Sequence, residues 1–171
     1  QSDLPVPFGA QVADFDPKQY VRPRKSLKVM SRDIQLGFAA ADLACTEAGL
    51  RDHAPDPERL GVVFGADLMH CDLAEMAEAY RGCIIDGEFD YDRWGERAMA
   101  EMYPLWMLKY LPNMPASHIA IYNDLRGPNN SLTMREAGGL MAIGEAARTV
   151  ARGHAERIVA GATGTRVHPL R

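Results

Sequence analysis

An α/β fold with a parallel sheet and one sandwiched helix is the class this sequence predicts, and two stretches predict it. Leu60 to Gly65 (LGVVFG) is short, apolar and free of alternation, the signature of a strand buried on both faces. Ser131 to Met134 reads as another short strand, followed by a tight turn at Arg135 and Glu136, a helix from Ala137 to Arg152, and a strand around Arg157 to Ala160. A strand, a crossover helix and a strand of these lengths make a right-handed unit of parallel sheet. The helix stops at Gly153, a residue type suited to the left-handed C-terminal position. Leu140, Ile143, Ala147 and Val150 recur at three- and four-residue spacing and predict an apolar stripe facing the sheet. Gly138, Gly139 and Gly144 would each cost an exposed helix about 1 kcal/mol relative to alanine. Their presence predicts close packing, with the helix buried between two layers. Glu136 falls where the chain leaves the strand for the helix, beside unpaired amides and at the strand ends where ligands of open α/β sheets bind.

The other elements follow in order. Gln1 to Pro7 is an irregular lead, and Phe8 to Phe15 (FGAQVADF) alternates as a short edge strand that Asp16-Pro17 breaks. Lys18, Arg22, Arg24, Lys25, Lys28 and Arg32 form a basic run, which by itself reads as a solvated loop and helix entrance. Ser31 caps a helix whose apolar positions Ile34, Phe38, Ala41, Cys45 and Ala48 keep helical spacing until Gly49. Cys45 lies on that stripe and reads as a core thiol. Leu73, Met76, Ala77 and Tyr80 predict one helix and Arg93 to Met102 another, separated by an acidic segment at 86–92. Pro104 to Tyr110 reads as a short helix. Asn113, as an N-cap with Pro115 in the first turn, then opens a helix to Leu125 that carries His118, read as structural.

Composition bounds the function. The 171 residues suit one domain with a real core, 47% apolar and 25% charged. A formal net charge of -4 gives no global sign of nucleic-acid binding. No stretch approaches the roughly 20 apolar residues of a membrane span, and the N-terminus lacks a basic segment followed by an apolar one. A cytoplasmic protein with neither nucleic acid nor membrane as partner is expected. Cys45, Cys71 and Cys83 have neither CxxC spacing nor a histidine cluster beside them, and the acidic segment lacks the pattern of a calcium loop. No metal and no cofactor are expected.

Several motifs together carry a family resemblance. Leu111-Pro112-Asn113-Met114, Ala116, His118-Ile119-Ala120, Leu125-Arg126-Gly127-Pro128-Asn129, Ile143-Gly144-Glu145-Ala146-Ala147-Arg148 and Val159-Ala160-Gly161 resemble the N-terminal half of a β-ketoacyl-acyl carrier protein synthase. The resemblance implies the thiolase-like layered αβαβα fold, with most of the N-terminal half present and a divergent middle. It also implies that the chain is a fragment of a longer, two-half protein. Counted without a gap from Gly127-Pro128 to Ile143-Gly144, the family's nucleophilic cysteine falls on Glu136.

That substitution directs the functional expectation. A condensing enzyme needs a thiolate to hold the acyl chain as a thioester, and an acyl-glutamate would be a readily hydrolysed mixed anhydride. Relatives that carry glutamine there are chain-length factors, which pair with a catalytic synthase, and loading decarboxylases, which release carbon dioxide from a malonyl unit. The resemblance therefore implies a non-condensing partner subunit in fatty acid or polyketide biosynthesis. The alternative is a malonyl-carrier protein decarboxylase with Glu136 at the oxyanion site. Leu111 and Arg135 are expected at the substrate pocket, and Arg24, Lys25 and Lys28 at the docking site of an acidic acyl carrier protein. Asn130, Ser131, Leu132, Thr133 and Met134 are expected to form the strand of a homodimer, or of a heterodimer with a catalytic ketosynthase. The family's catalytic histidines belong to the second half.

Overall fold

The computed structural model describes residues 9–52, 56–67 and 69–165. Two 3-10 turns, Pro17–Gln19 and Arg24–Val29, lead into α1 (Arg32–Glu47), and β1 (Leu60–Ala66) follows. Then come α2 (Leu73–Arg81), the strands β2 (Ile84–Ile85) and β3 (Glu88–Phe89), α3 (Trp94–Glu101), α4 (Met114–Asn123), β4 (Asn129–Leu132), α5 (Gly138–Ala151) and β5 (Arg157–Thr163).

Every residue of β1 is buried, because β1 is the middle strand of a parallel sheet ordered β4-β1-β5. Val62 pairs with Asn129 on one side and Val159 on the other. The strand–helix–strand unit predicted at 131–160 therefore exists, with β1 inserted between its two strands. Alternate β1 residues serve opposite faces. Val62 and Phe64 join Ile34 and Phe38 of α1 and Ile119 of α4 in one core, while Val63 packs with Ala142 and Ala146 of α5. Ser31 caps α1 by accepting from the Ile34 amide at 3.3 Å, and Gly49, at φ +59°, ends it.

Four expectations need correction. The stripe Leu140, Ile143 and Val150 does not face the sheet: these side chains are 78, 56 and 39% exposed. Periodicity finds an apolar stripe without saying which layer it meets, and the small face of Gly138, Ala142 and Ala146 is the one that approaches β1 closely. Accordingly α5 is covered on only one side by the described residues. The second correction is to the edge strand at 8–15, since residues 9–15 form no strand and Phe8 lies outside the described residues. A strand needs a partner to satisfy its backbone, and the described sheet offers none there. Third, β4 runs from Asn129 to Leu132, so Thr133 and Met134 already belong to the turn. Fourth, α4 ends at Asn123, where Asp124 adopts a left-handed φ of 53°, and the helix expected over 104–110 is a 3-10 turn at Trp106–Lys109.

The divergent middle forms a small lobe. Tyr80 stacks at a tilt on Trp94 and Phe89, with centroids 4.9 and 5.7 Å apart, and so joins α2, the hairpin and α3. Glu75 anchors the lobe, accepting from the Tyr110 hydroxyl at 2.8 Å and pairing with Lys109. Burial first, and Glu75 second, push the Tyr110 hydroxyl far up, so it stays protonated and donating.

Candidate functional site

The turn between β4 and α5 sets the site. Met134 leaves the strand, Arg135 takes a left-handed φ of 47°, and residues 135–137 make one 3-10 turn before the α-helix begins at Gly138. An arginine in that backbone region is strained, and the packing beneath holds it there. Gly65 supplies that packing: a Cβ on it would lie 2.6 Å from the carbonyl carbon of Gly138. The N-terminus of α5 thus rests directly on the β1 backbone, which sets Arg135 and Glu136 over the C-terminal ends of β1 and β5.

A cavity of about 420 Å³ opens there. Arg135, Glu136 and Gly139 form one wall, Gly65, Ala66 and Asp67 at the end of β1 another, Ala162, Thr163 and Gly164 at the end of β5 a third, and Leu36, Gly37 and Ala40 of α1 the last. Thr163 ties two of these walls together, its hydroxyl donating to the Asp33 carbonyl at 2.6 Å. Arg135 and Glu136 are both exposed to it, whereas Asp67 is 9% exposed.

The predicted site residues separate into three places. Arg135 and Glu136 share the cavity, but Leu111 does not line it. Leu111 sits in the turn that opens α4, where its carbonyl accepts from the Met114 amide at 3.1 Å. Arg24, Lys25 and Lys28 lie exposed on the second 3-10 turn. Asn130, Ser131 and Leu132 lie on β4, one of the two outer strands, with Thr133 and Met134 following it.

No cysteine lines the cavity. Cys45 is 2% exposed in the α1 core, where burial raises its thiol, and Cys83 is 0% exposed. Burial also raises the Cys71 thiol, which donates to Met76 Sδ at 3.1 Å in the lobe. A carboxylate and a guanidinium therefore stand at the strand ends without a thiol nucleophile. Among the described residues no cluster of His, Cys, Asp and Glu is arranged to hold a metal, and no helix is long and apolar enough to cross a membrane.

Asp67 and Thr163 were missed at the sequence level. The signal for Asp67 was available, since a carboxylate directly after a buried parallel strand lies at the ligand-binding edge of the sheet.

Known proteins resemble this chain along nearly its whole length. The family model described as "Beta-ketoacyl synthase, N-terminal domain" matches residues 3–171. The 3-oxoacyl-[acyl-carrier-protein] synthase 2 of Vibrio harveyi is 31% identical over 163 residues, which is 95% of this chain and 36% of that protein. Nodulation protein E of Rhizobium leguminosarum bv. trifolii is 32% identical over 139 residues, 81% of this chain and 31% of that one. Among solved structures, the ishigamide ketosynthase/chain length factor superposes with a TM-score of 0.61 at 26% identity, covering 88% of this chain and 38% of that one. A ketosynthase solved with its type II polyketide acyl-carrier protein gives a TM-score of 0.71 at 20% identity over 93% of this chain and 42% of that one, a likeness of fold. The chain spans about a third of the length of the curated relatives it matches.

Proposed function

Because this chain belongs to the β-ketoacyl synthase family, matching its N-terminal domain over residues 3–171, we propose that it is a non-condensing member of fatty acid or polyketide biosynthesis. In this reading it is the first-half unit of a two-half cytoplasmic protein that pairs with a catalytic ketosynthase as a chain-length factor does. The observation that carries the reading is Glu136, standing in the turn at the strand ends in a cavity that no cysteine lines. Condensation requires an acyl group held as a stable thioester on the enzyme, and a carboxylate cannot hold one. What remains for such a subunit is to pair with a synthase and shape its product cavity.

The outer face of α5 supports the two-half reading. Leu140 and Ile143 are large and apolar, and they are exposed in a chain one-third the length of its relatives. A second half covering that face would bury both. Asn130, Ser131 and Leu132, on the edge of β4 that no other described strand covers, would pair across a dimer axis, which removes an exposed sheet edge. Arg24, Lys25 and Lys28 would receive an acidic acyl carrier protein, in a manner weakened by salt.

Arg135 favours a second reading, malonyl-carrier protein decarboxylation, because a guanidinium on the cavity wall suits the free carboxylate of a malonyl thioester. The bond broken is the one between the carboxylate and its neighbouring carbon. Carbon dioxide leaves, and the electron pair stays on the thioester enolate until a proton is added.

Carbon dioxide release from malonyl-carrier protein by the full-length protein separates the two. A partner subunit releases none as the wild type or as Glu136→Gln, whereas a decarboxylase that needs a neutral group at the oxyanion site keeps or gains activity in Glu136→Gln.

A further inference from the structure

Charge is separated along this chain. Residues 18–32 carry six basic side chains and no acidic one, whereas residues 73–101, the lobe of α2, the hairpin and α3, carry eight acidic side chains against three basic. Neither set is neutralised internally. In the lobe Glu75, Glu78 and Asp90 pair with Lys109, Arg81 and Arg93. Asp86, Glu88, Asp92, Glu96 and Glu101 are exposed and form no ion pair among the described residues. Lys18, Arg24, Lys25 and Lys28 are likewise exposed, and no described carboxylate pairs with them, so no ion pair joins the two sets within one copy.

The carboxylates alternate with apolar groups that the described residues leave in water. Ile84 and Ile85 make up the whole of β2, and they are 50 and 41% exposed. Successive strand residues take opposite faces, so neither face of the hairpin is fully covered there. Tyr91, just after β3, is 82% exposed although its ring meets Phe89 edge-on, with centroids 4.9 Å apart. Solvated acidic loops need neither an isoleucine pair nor an aromatic ring, and apolar groups set among charges are the composition of a contact surface. The basic segment offers the complement. Ile121 of α4, 80% exposed, lines one cleft with Pro23 and Ser26, beside the turn that carries Arg24 and Lys25.

We propose that the acidic hairpin lobe docks on the basic segment of a second copy of this chain. Each copy carries both surfaces, so one twofold axis makes the contact twice. Ile84 and Tyr91 meet Ile121, and Glu88 and Asp92 meet Lys25 and Lys28, with the charges steering the encounter and the apolar groups holding it. The contact is separate from the pairing of β4 edges and does not rest on it. An acidic partner of the basic segment then competes with the second copy.

The test is sedimentation equilibrium of the full-length protein from about 50 to about 500 mM salt. A self-associated species that weakens as salt rises is expected. Glu88→Lys with Asp92→Lys makes the lobe basic, and Lys25→Glu with Lys28→Glu makes the segment acidic; all four positions are exposed. Each double variant alone is expected to associate about tenfold more weakly than the wild type. Mixed one to one they are expected to recover, because every lobe again has an oppositely charged segment to meet. The salt series needs no substitution, and Tyr91→Ala, which keeps every charge, is expected to weaken association as well. A mixture no stronger than either variant alone overturns the proposal, as does a wild-type protein that stays monomeric at low salt. A dimer equally strong in both variants and at every salt concentration also overturns it, and leaves the β4 pairing, whose backbone hydrogen bonds salt screens little.

Discussion

The two faces of the sheet are packed with side chains of different size. On the α1 and α4 side the buried groups are large: Ile34, Phe38, Phe64 and Ile119 are at most 3% exposed. On the α5 side the buried partners of Val63 are alanines, and the large groups Leu140 and Ile143 point outward. One helix layer is thus completed by the described residues, while the other pairs a close-fitting inner face with an apolar outer face that the described residues leave open. The difference explains how a stripe of helical periodicity can be correctly located and wrongly oriented. It also separates residues that hold this chain together from residues suited to hold a larger protein together.

The largest expected effect lies on the completed face. Ile34→Ala should cost about 2–5 kcal/mol by chemical denaturation, the range for emptying a fully buried site. Leu140→Ala should cost at most about 0.5 kcal/mol in this chain, where the side chain is 78% exposed. In the full-length protein the same substitution should move toward the buried range. Equal and small effects of Leu140→Ala in both would remove the case for a covering second half.

Gly65→Ala ranks next. The new methyl would meet the backbone of Gly138 at 2.6 Å, and backbone cannot rotate away as a side chain can. A loss of about 1–3 kcal/mol is expected, with the β4–α5 turn displaced and Arg135 and Glu136 moved with it. An unperturbed structure of the variant would show that the close approach does not position the turn.

Much of the fold was legible because its signals are local. The apolar run at 60–65, the cap at Ser31 and the breaks at Gly49 and Gly153 each act over a few residues, and each is found where expected. The turn at Arg135 and Glu136 was legible for the same reason. What was not legible depends on which layer meets which. The stripe of α5 was turned toward the wrong side, residues 9–15 have no strand to pair with among the described residues, and Leu111, grouped with Arg135 by resemblance, lies at the opening of α4 away from the Glu136 cavity. His118 was read as structural from its place on a helix, and desolvation lowers its pKa in the folded chain. Its Nε2, buried with no hydrogen-bond partner among the described residues, is a property of the packing that no spacing encodes.

A smaller effect should appear with pH. His118 is half-buried in the folded chain, with its pKa lowered chiefly by desolvation. As pH falls through 6.5 the unfolded chain takes up this proton first, so the folded state loses stability until the folded group also titrates. Denaturation midpoints measured between pH 7.5 and pH 5 should therefore fall less in His118→Phe than in the wild type. Parallel curves would mean that the imidazole is not held neutral by burial.

The central claim, that residue 136 cannot carry an acyl group, is tested most directly by mass. Full-length protein incubated with acyl-carrier protein, then digested and mapped, should show no acyl adduct in the peptide containing Glu136, and no condensation product should form with malonyl-carrier protein. A mass increase of one acyl group located on residue 136 would contradict it.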